Sequence, residues 1–238
     1  MIDSFYTGST GLIQIQKGMD ILANNIANIQ TVGFKKMESS FSDLVYTNIH
    51  KPKENEEQDT NLKLGHGAKL KKADVLHTQG IVNATGRTLD FIIQGDGFFA
   101  VEGAEDIKYT RNGNFHISVE DEEKYLVNSD GLYVLDGDGE RIVVPEDESE
   151  PLNVGVYQFL NNDGLKIEAG TLFNQTEISG EAEYNPEVQV KCGYLENSNV
   201  DMSKAMVDMI NIQRAFQFNS RMVQTSDEIM QLVNSLRQ

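Results

Sequence analysis

The chain has 238 residues and a formal net charge of −17 at pH 7, with 39% hydrophobic residues and one cysteine. This length is enough to bury a core, whereas the acidity and the lack of Lys and Arg clusters argue against a nucleic-acid partner. No apolar run approaches the roughly 20 residues that a membrane-spanning helix needs, and the single Cys192 excludes an intrachain disulfide.

An amphipathic pattern over residues 4–30 predicts a long first helix. Its stripe positions are separated alternately by three and four residues, a spacing typical of a helix that packs against another helix. The stripe consists of Phe5, Gly8, Leu12, Ile15, Met19, Leu22, Ile26 and Ile29. Gly33, just beyond the pattern, is expected to form a left-handed cap. No basic residue precedes Lys17, so we do not expect a cleaved secretory signal.

The middle of the chain is predicted to be extended and then β-rich. Residues 37–82 are predicted to form an extended segment, in which residues 48–61 carry many charges and only one apolar residue, Ile49, as in a mobile acidic loop. Residues 83–195 alternate short apolar runs with turn pairs such as Asn112-Gly113 and Asp163-Gly164. This pattern favours an antiparallel sandwich or irregular barrel. The predicted strands cover residues 89–93, 98–101, 115–119, 132–135, 142–144 and 154–159.

A second amphipathic pattern predicts a C-terminal helix between about residue 199 and residue 236, with Asn199 or Asp201 as its cap. Its stripe has the same spacing as the first and consists of Met202, Ala205, Met209, Ile212, Phe216, Asn219, Val223, Ser226, Met230 and Val233. The predicted fold class is therefore α+β. Long N- and C-terminal helices pair as a coiled coil, with an inserted, mainly antiparallel β domain between them.

The charge is placed unevenly along the chain. Residues 1–36 have a net charge of +1, residues 200–238 have a net charge of zero, and residues 37–199 hold the remaining −18. Because like charges repel, the middle is expected to stay hydrated while the nearly neutral ends pack closely. This distribution suits a molecule that associates through its ends.

Two motifs resemble ligand sites, and neither meets the requirements of its chemistry. Residues 95–100 fit the G-x-G-x-x-A nucleotide fingerprint, but an apolar strand pattern follows where a helix is required. The acidic run 136–140 resembles a calcium loop, but the corresponding register places Val134 at the first ligand position and Pro145 at the last. A β turn is the simpler interpretation of both.

No catalytic constellation is visible either. The four histidines, at positions 50, 66, 77 and 116, show no metal-ligand spacing with one another or with Cys192. The acidic residues cannot be paired into an acid/base dyad from the sequence alone. We therefore expect no enzymatic activity, no cofactor and no metal.

Four segments together resemble the flagellar axial proteins, the rod and hook family. Residues 23–35 are similar to the family's A-N-N-[LI]-A-N signature followed by T-x-G-[FY]-[KR], and residues 89–99 to its L-D-x-x-I-x-G-x-G-F-F. Residues 109–115 are similar to Y-T-R-x-G-x-F, and residues 193–220 to G-Y-x-E-x-S-N-V and M-I-x-x-Q-R-A-[FY]-x-x-N-S. The family-motif residues singled out are Asn24, Asn25, Asn28, Thr31, Gly33, Phe34, Gly95, Gly97 and Phe98.

Within the family, the resemblance is closest to the basal-body rod proteins and especially to the distal rod protein. Residues 41–46 and 76–80 are similar to the segment that follows its first helix. Between Pro145 and Val156, however, the chain carries less β material than the usual distal rod subunit. That difference leaves a proximal rod position open.

The resemblance implies a structural subunit of the bacterial flagellar basal body, exported through the flagellar type III apparatus without a cleaved signal. Such a subunit polymerises helically into a hollow drive shaft, with copies of itself and other rod or hook subunits as partners. Residues 1–36 and 196–238 would then be the self-assembly core. No nucleic acid, small-molecule substrate or membrane insertion is implied.

The predicted helix-packing residues are Leu12, Ile15, Met19, Leu22, Ile26, Met209, Ile212, Phe216, Val223 and Met230. Some of them would pack within one subunit if the two terminal helices share a seam before they meet neighbours. An alternative function is a secreted oligomeric β-domain adhesin or glycan-binding module. The absence of Trp, a common sugar-stacking residue, weighs against that alternative.

Overall fold

A computed structural model describes residues 2–44, 46–48, 63–103, 106–120, 123–145 and 152–236. The predicted loop 48–61 therefore lies outside the described residues apart from Asn48. The helices are α1 (Ile2–Ala27) and α2 (Met202–Ser235), and a short 3₁₀ helix covers Asn162–Gly164. None of the described helices is long and apolar enough to cross a membrane.

The strands lie between the two long helices, and their pairs are antiparallel wherever the register is defined. In chain order they are β1 (Met37–Asp43), β2 (Tyr46–Asn48), β3 (Lys63–Gly65), β4 (Ala68–Val75), β5 (Val82–Ala84), β6 (Phe91–Gln94), β7 (Phe98–Glu102), β8 (Ile107–Thr110), β9 (His116–Glu120), β10 (Glu123–Val127), β11 (Val156–Gln158), β12 (Lys166–Ala169), β13 (Leu172–Asn174), β14 (Glu183–Tyr184), β15 (Gln189–Cys192) and β16 (Tyr194–Glu196). The α+β class with a mainly antiparallel β region agrees with the sequence prediction.

The chain forms two compact units. The first contains Met1–Ile26, Met37–Asp74 and Met202–Gln238, and the second contains Ala27–Lys36 and Val75–Asp201. The segment predicted to be extended, residues 37–82, is thus divided between them. Its β1 and β4 strands pair with each other.

In the first unit, α1 and α2 lie side by side and run in opposite directions. A Cβ atom added to Gly8 would lie 2.9 Å from Val223 Cγ2, and one added to Gly11 would lie 3.5 Å from Asn219 Nδ2. One added farther along, at Gly18, would lie near the side chain of Ile212, which precedes both of those partners in α2. Because the partner numbers fall as the glycine numbers rise, the two helices are antiparallel.

The first helix ends earlier than its amphipathic pattern predicts, at Ala27 instead of near residue 30. Residues 28–33 form turns, in which Thr31 N–H donates to the carbonyl of Asn28 at 3.1 Å. Gly33 does have a left-handed backbone, with φ of 71°. It lies too far beyond Ala27 to be the helix cap, so that prediction is wrong about its role.

The second unit is built on a six-stranded sheet with the order β12-β13-β8-β7-β11-β14. Side chains alternate between the two faces of a strand, and residues 98–101 of the central strand β7 are buried on both faces. Phe98 and Ala100 belong to one apolar cluster, with Tyr109 and Phe159, whereas the neighbouring residues Phe99 and Val101 belong to another. The predicted strand 98–101 is therefore the shared wall of two cores.

The two motifs that resembled ligand sites are turns. The chain passes from β6 to β7 through residues 95–97, and β7 begins at Phe98, so no helix opens at the nucleotide-like fingerprint. Residues 136–140 form a turn closed by a bridge between Leu135 and Arg141. Among the described residues, no group of three His, Cys, Asp or Glu side chains could hold a metal ion.

We expect Phe115→Ala to lower the free energy of unfolding of the second unit by about 3–5 kcal/mol, because it leaves a cavity in a packed core. Phe115 is 0% exposed, and its ring lies 5.3 Å from that of Phe99. Val119→Ala, at a position 69% exposed on β9, is the control and should change stability by less than about 0.5 kcal/mol. Urea unfolding followed by circular dichroism measures both, and equal effects would contradict the core assignment.

Candidate functional site

Three charged side chains are buried together in the second unit. Lys35, Arg111 and Glu196 are 3%, 3% and 2% exposed. Lys35 Nζ lies 2.5 Å from Glu196 Oε1, and Arg111 Nη1 lies 3.6 Å from Glu196 Oε2. The three residues come from the segment after α1, from the β region and from the segment before α2. We call them the buried charge cluster.

Backbone groups complete the environment of the Glu196 carboxylate. Gly80 N–H donates to Glu196 Oε1 at 2.7 Å, and Lys35 Nζ donates to the carbonyl of Thr78 at 2.9 Å. Gly33 N–H donates to the carbonyl of Glu196 itself at 2.8 Å. A buried charge is costly unless it is paired and hydrogen-bonded. These contacts therefore hold residues 78–80 against Lys35 and Glu196.

The guanidinium of Arg111 is less completely bonded. Its Cζ lies 5.4 Å from the centre of the Phe98 ring, and its Nη2 lies 3.9 Å from the exposed Asp96 carboxylate. Neither Nε nor Nη1 of Arg111, nor Oε2 of Glu196, makes a hydrogen bond within the described part of the chain. Arg111 therefore acts mainly as a buried charge opposite Glu196.

Burial shifts the pKa values of the basic groups in this region downwards. It lowers the pKa of Lys35, opposed by the neighbouring Glu196 carboxylate, and it also lowers the pKa of Arg111. The pKa of His77 is lowered by burial and further by the charges of Lys35 and Arg111. The His77 ring lies against Phe98 and Phe173, with centroids 5.6 and 5.8 Å away.

Asn199 joins three parts of the second unit instead of capping α2. Its Oδ1 accepts from the Lys36 N–H at 2.7 Å, while its Nδ2 donates to the carbonyl of Leu76 at 2.8 Å and to Thr78 Oγ1 at 3.0 Å. Since α2 begins at Met202, Asn199 is too far from it to serve as the predicted cap. Residues 33–36, 76–80 and 196–199 thus meet at one place in the second unit, which we call the junction. Both Asn199 and the buried charge cluster hold it together.

Two glycines at this junction leave no room for a side chain. A Cβ atom on Gly33 would lie 2.5 Å from the backbone nitrogen of Asn112, and its positive φ also disfavours other residues. A Cβ atom on Gly80 would collide with the carbonyl oxygen of Asn197. The close backbone approach explains why the T-x-G-[FY]-[KR] pattern needs glycine before Phe34 and Lys35.

The N-terminal asparagines have different roles. Asn25 is 1% exposed, and its amide donates to the carbonyl of Met37 at 2.7 Å and accepts from the Met37 N–H at 2.9 Å. Within the first unit, this pair of bonds fixes the start of β1 beside α1. Asn28 Oδ1 accepts from Thr31 Oγ1 at 3.2 Å in the turn after α1. Asn24 is exposed.

The remaining motif residues lie in the second unit. Phe34 is 3% exposed and Phe98 is 0% exposed. Gly95 and Gly97 form the turn before β7, and both have positive φ angles. These residues shape the β unit and do not gather into a catalytic or ligand site.

The residues predicted to pack between helices differ in burial, and their packing between helices stays a prediction. On α1, Leu22 is buried, and the partly buried positions are Leu12, Ile15, Met19 and Ile26. On α2, Phe216 is 36% exposed, and the partly buried positions are Met209, Ile212, Val223 and Met230. Other apolar residues of α2 are much more open, for example Phe218 at 66% and Leu232 at 62%.

The sequence did not predict the buried charge cluster, although all three residues lie in recognised motifs. A signal was present, since Arg111 and Glu196 directly follow the residues Thr110 and Leu195, which are strand residues and are buried. A charged residue at the end of a buried strand needs a partner of opposite charge. The sequence could not identify that partner, because the three residues are far apart along the chain.

The fold defines the class of protein: an α+β protein in which motif residues next to both long helices meet in one β unit. Residues 5–35 match the family described as "Flagella basal body rod protein". Residues 92–175 match the "Flagellar hook protein FlgE/F/G D1 domain", and residues 192–236 match the "Flagellar basal body rod FlgEFG protein C-terminal".

Full-length relatives agree with these matches. The chain is 35% identical to the "Flagellar basal-body rod protein FlgG" of Bacillus subtilis and 31% identical to that of Borreliella burgdorferi, with at least 99% of each chain aligned. It is 28% identical to the "Flagellar hook-basal body complex protein FlhP" of Bacillus subtilis over all of both chains. The chain belongs to the flagellar basal-body rod protein family. The predicted resemblance to the distal rod protein is confirmed, and the adhesin alternative has no support.

The chain differs in length from the first of these relatives. Its alignment extends over 267 positions, more than the 238 residues of this chain. The Bacillus subtilis protein therefore carries residues that this chain lacks.

We expect Glu196→Gln to lower the free energy of unfolding by about 3–5 kcal/mol, because it leaves two buried cations without a counter-charge. Glu102→Gln is the matched control, since Glu102 pairs with Arg141 at 2.5 Å while 39% exposed. An exposed pair contributes only about 0–1 kcal/mol. Urea unfolding monitored by tyrosine fluorescence compares the two variants. Equal losses would show that the buried cluster does not stabilise the unit.

The His77 environment predicts a stability that falls on acidification. Because the pKa of His77 is lowered in the folded state from 6.5, the unfolded state binds more protons between that lowered value and 6.5. The free energy of unfolding should therefore rise with pH across this window, and the contribution of His77 should be lost below it. His77→Phe should reduce the slope, whereas His116→Gln, at an exposed position, should retain it. An unchanged slope in His77→Phe would contradict the assignment.

Proposed function

We propose that this chain, a structural subunit of the flagellar rod, polymerises helically through its terminal helices into a hollow drive shaft. The observation that carries the proposal is the apolar surface that α2 leaves uncovered in a single subunit. Met206, Phe218 and Leu232 are each more than half exposed on this helix. Exposed apolar patches of this kind mark protein–protein contact surfaces.

The first layer of this assembly is the pairing of α1 with α2 as a coiled coil within the subunit. The alternate spacing of three and four residues is typical of coiled-coil seams. The antiparallel approach of Gly8 to Val223 and of Gly11 to Asn219 supports the pairing, as does the partial burial of the predicted seam residues.

The second layer is contact with neighbouring subunits. Met206, Phe218 and Leu232 lie outside the predicted seam, so a subunit whose helices are already paired still offers them to copies of itself and to other rod or hook subunits. An interface between two different patches that does not close into a ring produces a filament. The net charge of zero on residues 200–238 allows such helices to pack closely, whereas the acidic middle is better placed outside.

The buried charge cluster would serve this assembly by fixing the chain next to both helices. Lys35 follows α1, and Glu196 precedes α2, so their ion pair fixes the segments next to both helices within the second unit. We further propose export through the flagellar type III apparatus without a cleaved signal, and location in the basal-body rod.

A double substitution on the uncovered face of α2 tests the proposal. Phe218→Glu with Ile229→Glu should abolish polymerisation while leaving the subunit folded, because these side chains are 66% and 49% exposed. Val119→Glu places the same charge at an apolar β9 residue that is 69% exposed, and it should still polymerise. Analytical ultracentrifugation and electron microscopy of concentrated protein measure assembly, with circular dichroism as the check on folding. Normal polymers from the double variant would exclude this face as an interface.

A further inference from the structure

An open cavity of about 650 Å³ lies on the second unit, away from the buried charge cluster. Its lining comes from β8, from β11, from the end of β13 and from the loop that follows β13. The residues are Asp106, Ile107, Tyr109, Tyr157, Asn174, Gln175, Glu181 and Ala182. Its volume is within the range of small-ligand sites, about 300–1,000 Å³.

One of the lining residues, Tyr109, has a hydroxyl group without a hydrogen-bond partner among the described residues. Tyr109 is 3% exposed, and its ring packs edge-on against Phe159, with centroids 4.8 Å apart. Its hydroxyl makes no hydrogen bond within the described part of the chain, although buried tyrosine hydroxyls normally have a partner. Burial raises the pKa of Tyr109 to about 12, so the hydroxyl stays neutral and can accept a hydrogen bond at physiological pH.

A second acceptor among the lining residues also lacks a donor. Asn174 hydrogen-bonds the Glu168 carboxylate, which engages its amide nitrogen. Its Oδ1 is buried and has no hydrogen-bond partner among the described residues. Since Asn174 Oδ1 is buried, the Tyr109 hydroxyl is the one of these two oxygens that can accept a hydrogen bond from a ligand in the cavity.

The charge of the lining selects a cation. Neither Asp106 nor Glu181 forms an ion pair with a described residue, and both are exposed. Lys108, on the same strand as Tyr109, is already paired with Glu168 at 2.9 Å. Two carboxylates among the lining residues are therefore left without a described cationic partner.

Aromatic faces add shape selectivity. The rings of Tyr109 and Tyr157 are 6.1 Å apart across β7, where the small Ala100 stands directly opposite Tyr109. The Tyr157 hydroxyl already donates to the carbonyl of Asp136 at 2.7 Å, so the ring is the part of Tyr157 that is left to contact a ligand. A planar guanidinium stacks on such rings and presents five donors, whereas an ammonium is a compact and strongly hydrated charge.

We propose that this cavity binds the guanidinium group of an arginine side chain presented by a protein partner. The guanidinium donates to the Tyr109 hydroxyl and to the carboxylates of Asp106 and Glu181, and lies against the Tyr157 ring. A protein partner is favoured over a free small cation because apolar residues flank the site. Ile107 is 45% exposed, and Ile178, in the loop between Gln175 and Glu181, is 74% exposed. Arginine surrounded by apolar contacts is a common anchor at protein interfaces.

Titration of the full chain, labelled with ¹³C in its tyrosine rings, tests the site by NMR. N-acetyl-arginine amide should shift the Tyr109 and Tyr157 signals saturably, the lysine derivative should bind several-fold more weakly, and the isosteric but neutral citrulline derivative should give no saturable shift. Asp106→Asn with Glu181→Gln should weaken binding at least tenfold, and Tyr109→Phe severalfold. Glu123→Gln, an exposed acidic position on β10, is the matched control and should bind normally.

Three outcomes would overturn the site itself: shifts that do not saturate, shifts that are equal for arginine and citrulline derivatives, or normal binding by the Asp106→Asn, Glu181→Gln variant. Because these side chains are exposed, that variant should fold normally, and circular dichroism checks it. A separate comparison tests whether the guanidinium comes from a protein partner. An end-blocked Leu-Arg-Leu peptide should bind several-fold more tightly than N-acetyl-arginine amide, and equal affinities would overturn the assignment to a protein partner.

Discussion

The second unit depends on the pairing of the Glu196 carboxylate with Lys35 and Arg111. A buried carboxylate needs both charge and hydrogen bonds in place of water, and here they come from three distant parts of the chain, including the Gly80 N–H. An apolar core tolerates small shifts of its side chains, whereas an ion pair with a 2.5 Å contact tolerates little displacement. The cluster therefore fixes where the segments next to α1 and α2 lie within this unit.

The sequence predicted those features that are set by local periodicity. The alternate spacing in α1 and α2 is repeated over many turns, and the β7 pattern of Phe98 to Val101 lies between glycine-rich turns, so each of these elements is recognisable in isolation. The α+β class follows from such elements. The partners of Glu196 and the two cores on either side of β7 depend on strand order and register, which local patterns do not specify.

The boundaries of the two compact units are also not predictable from local sequence patterns, as particular residues show. Periodicity groups residues 27–36 with the first helix, but Gly33 and Lys35 bind Glu196 and so belong with the β region. Residues 37–44 and 63–74 carry no helical pattern, yet they belong with the helices, because Asn25 holds Met37 by two hydrogen bonds and Gln14 accepts from the Leu70 N–H at 3.0 Å. These amide and charge contacts lie next to the boundaries, and none of them has a periodic signal in the sequence.

A buried ion-pair contact is also more sensitive than an apolar contact to the loss of one of its partners. If Glu196 is absent, burial leaves Lys35 and Arg111 without a counter-charge, and if Lys35 is absent, Glu196 loses the shorter of its two ion pairs, so both arrangements are disfavoured. The second unit therefore reaches its final packing only when residues near both ends of the chain are in place. In the proposed assembly through the terminal helices, this requirement links completion of the β unit to the presence of the segments next to both helices. An apolar contact of the same size would enforce that link less strictly, because apolar side chains lose only part of their burial when one partner is absent.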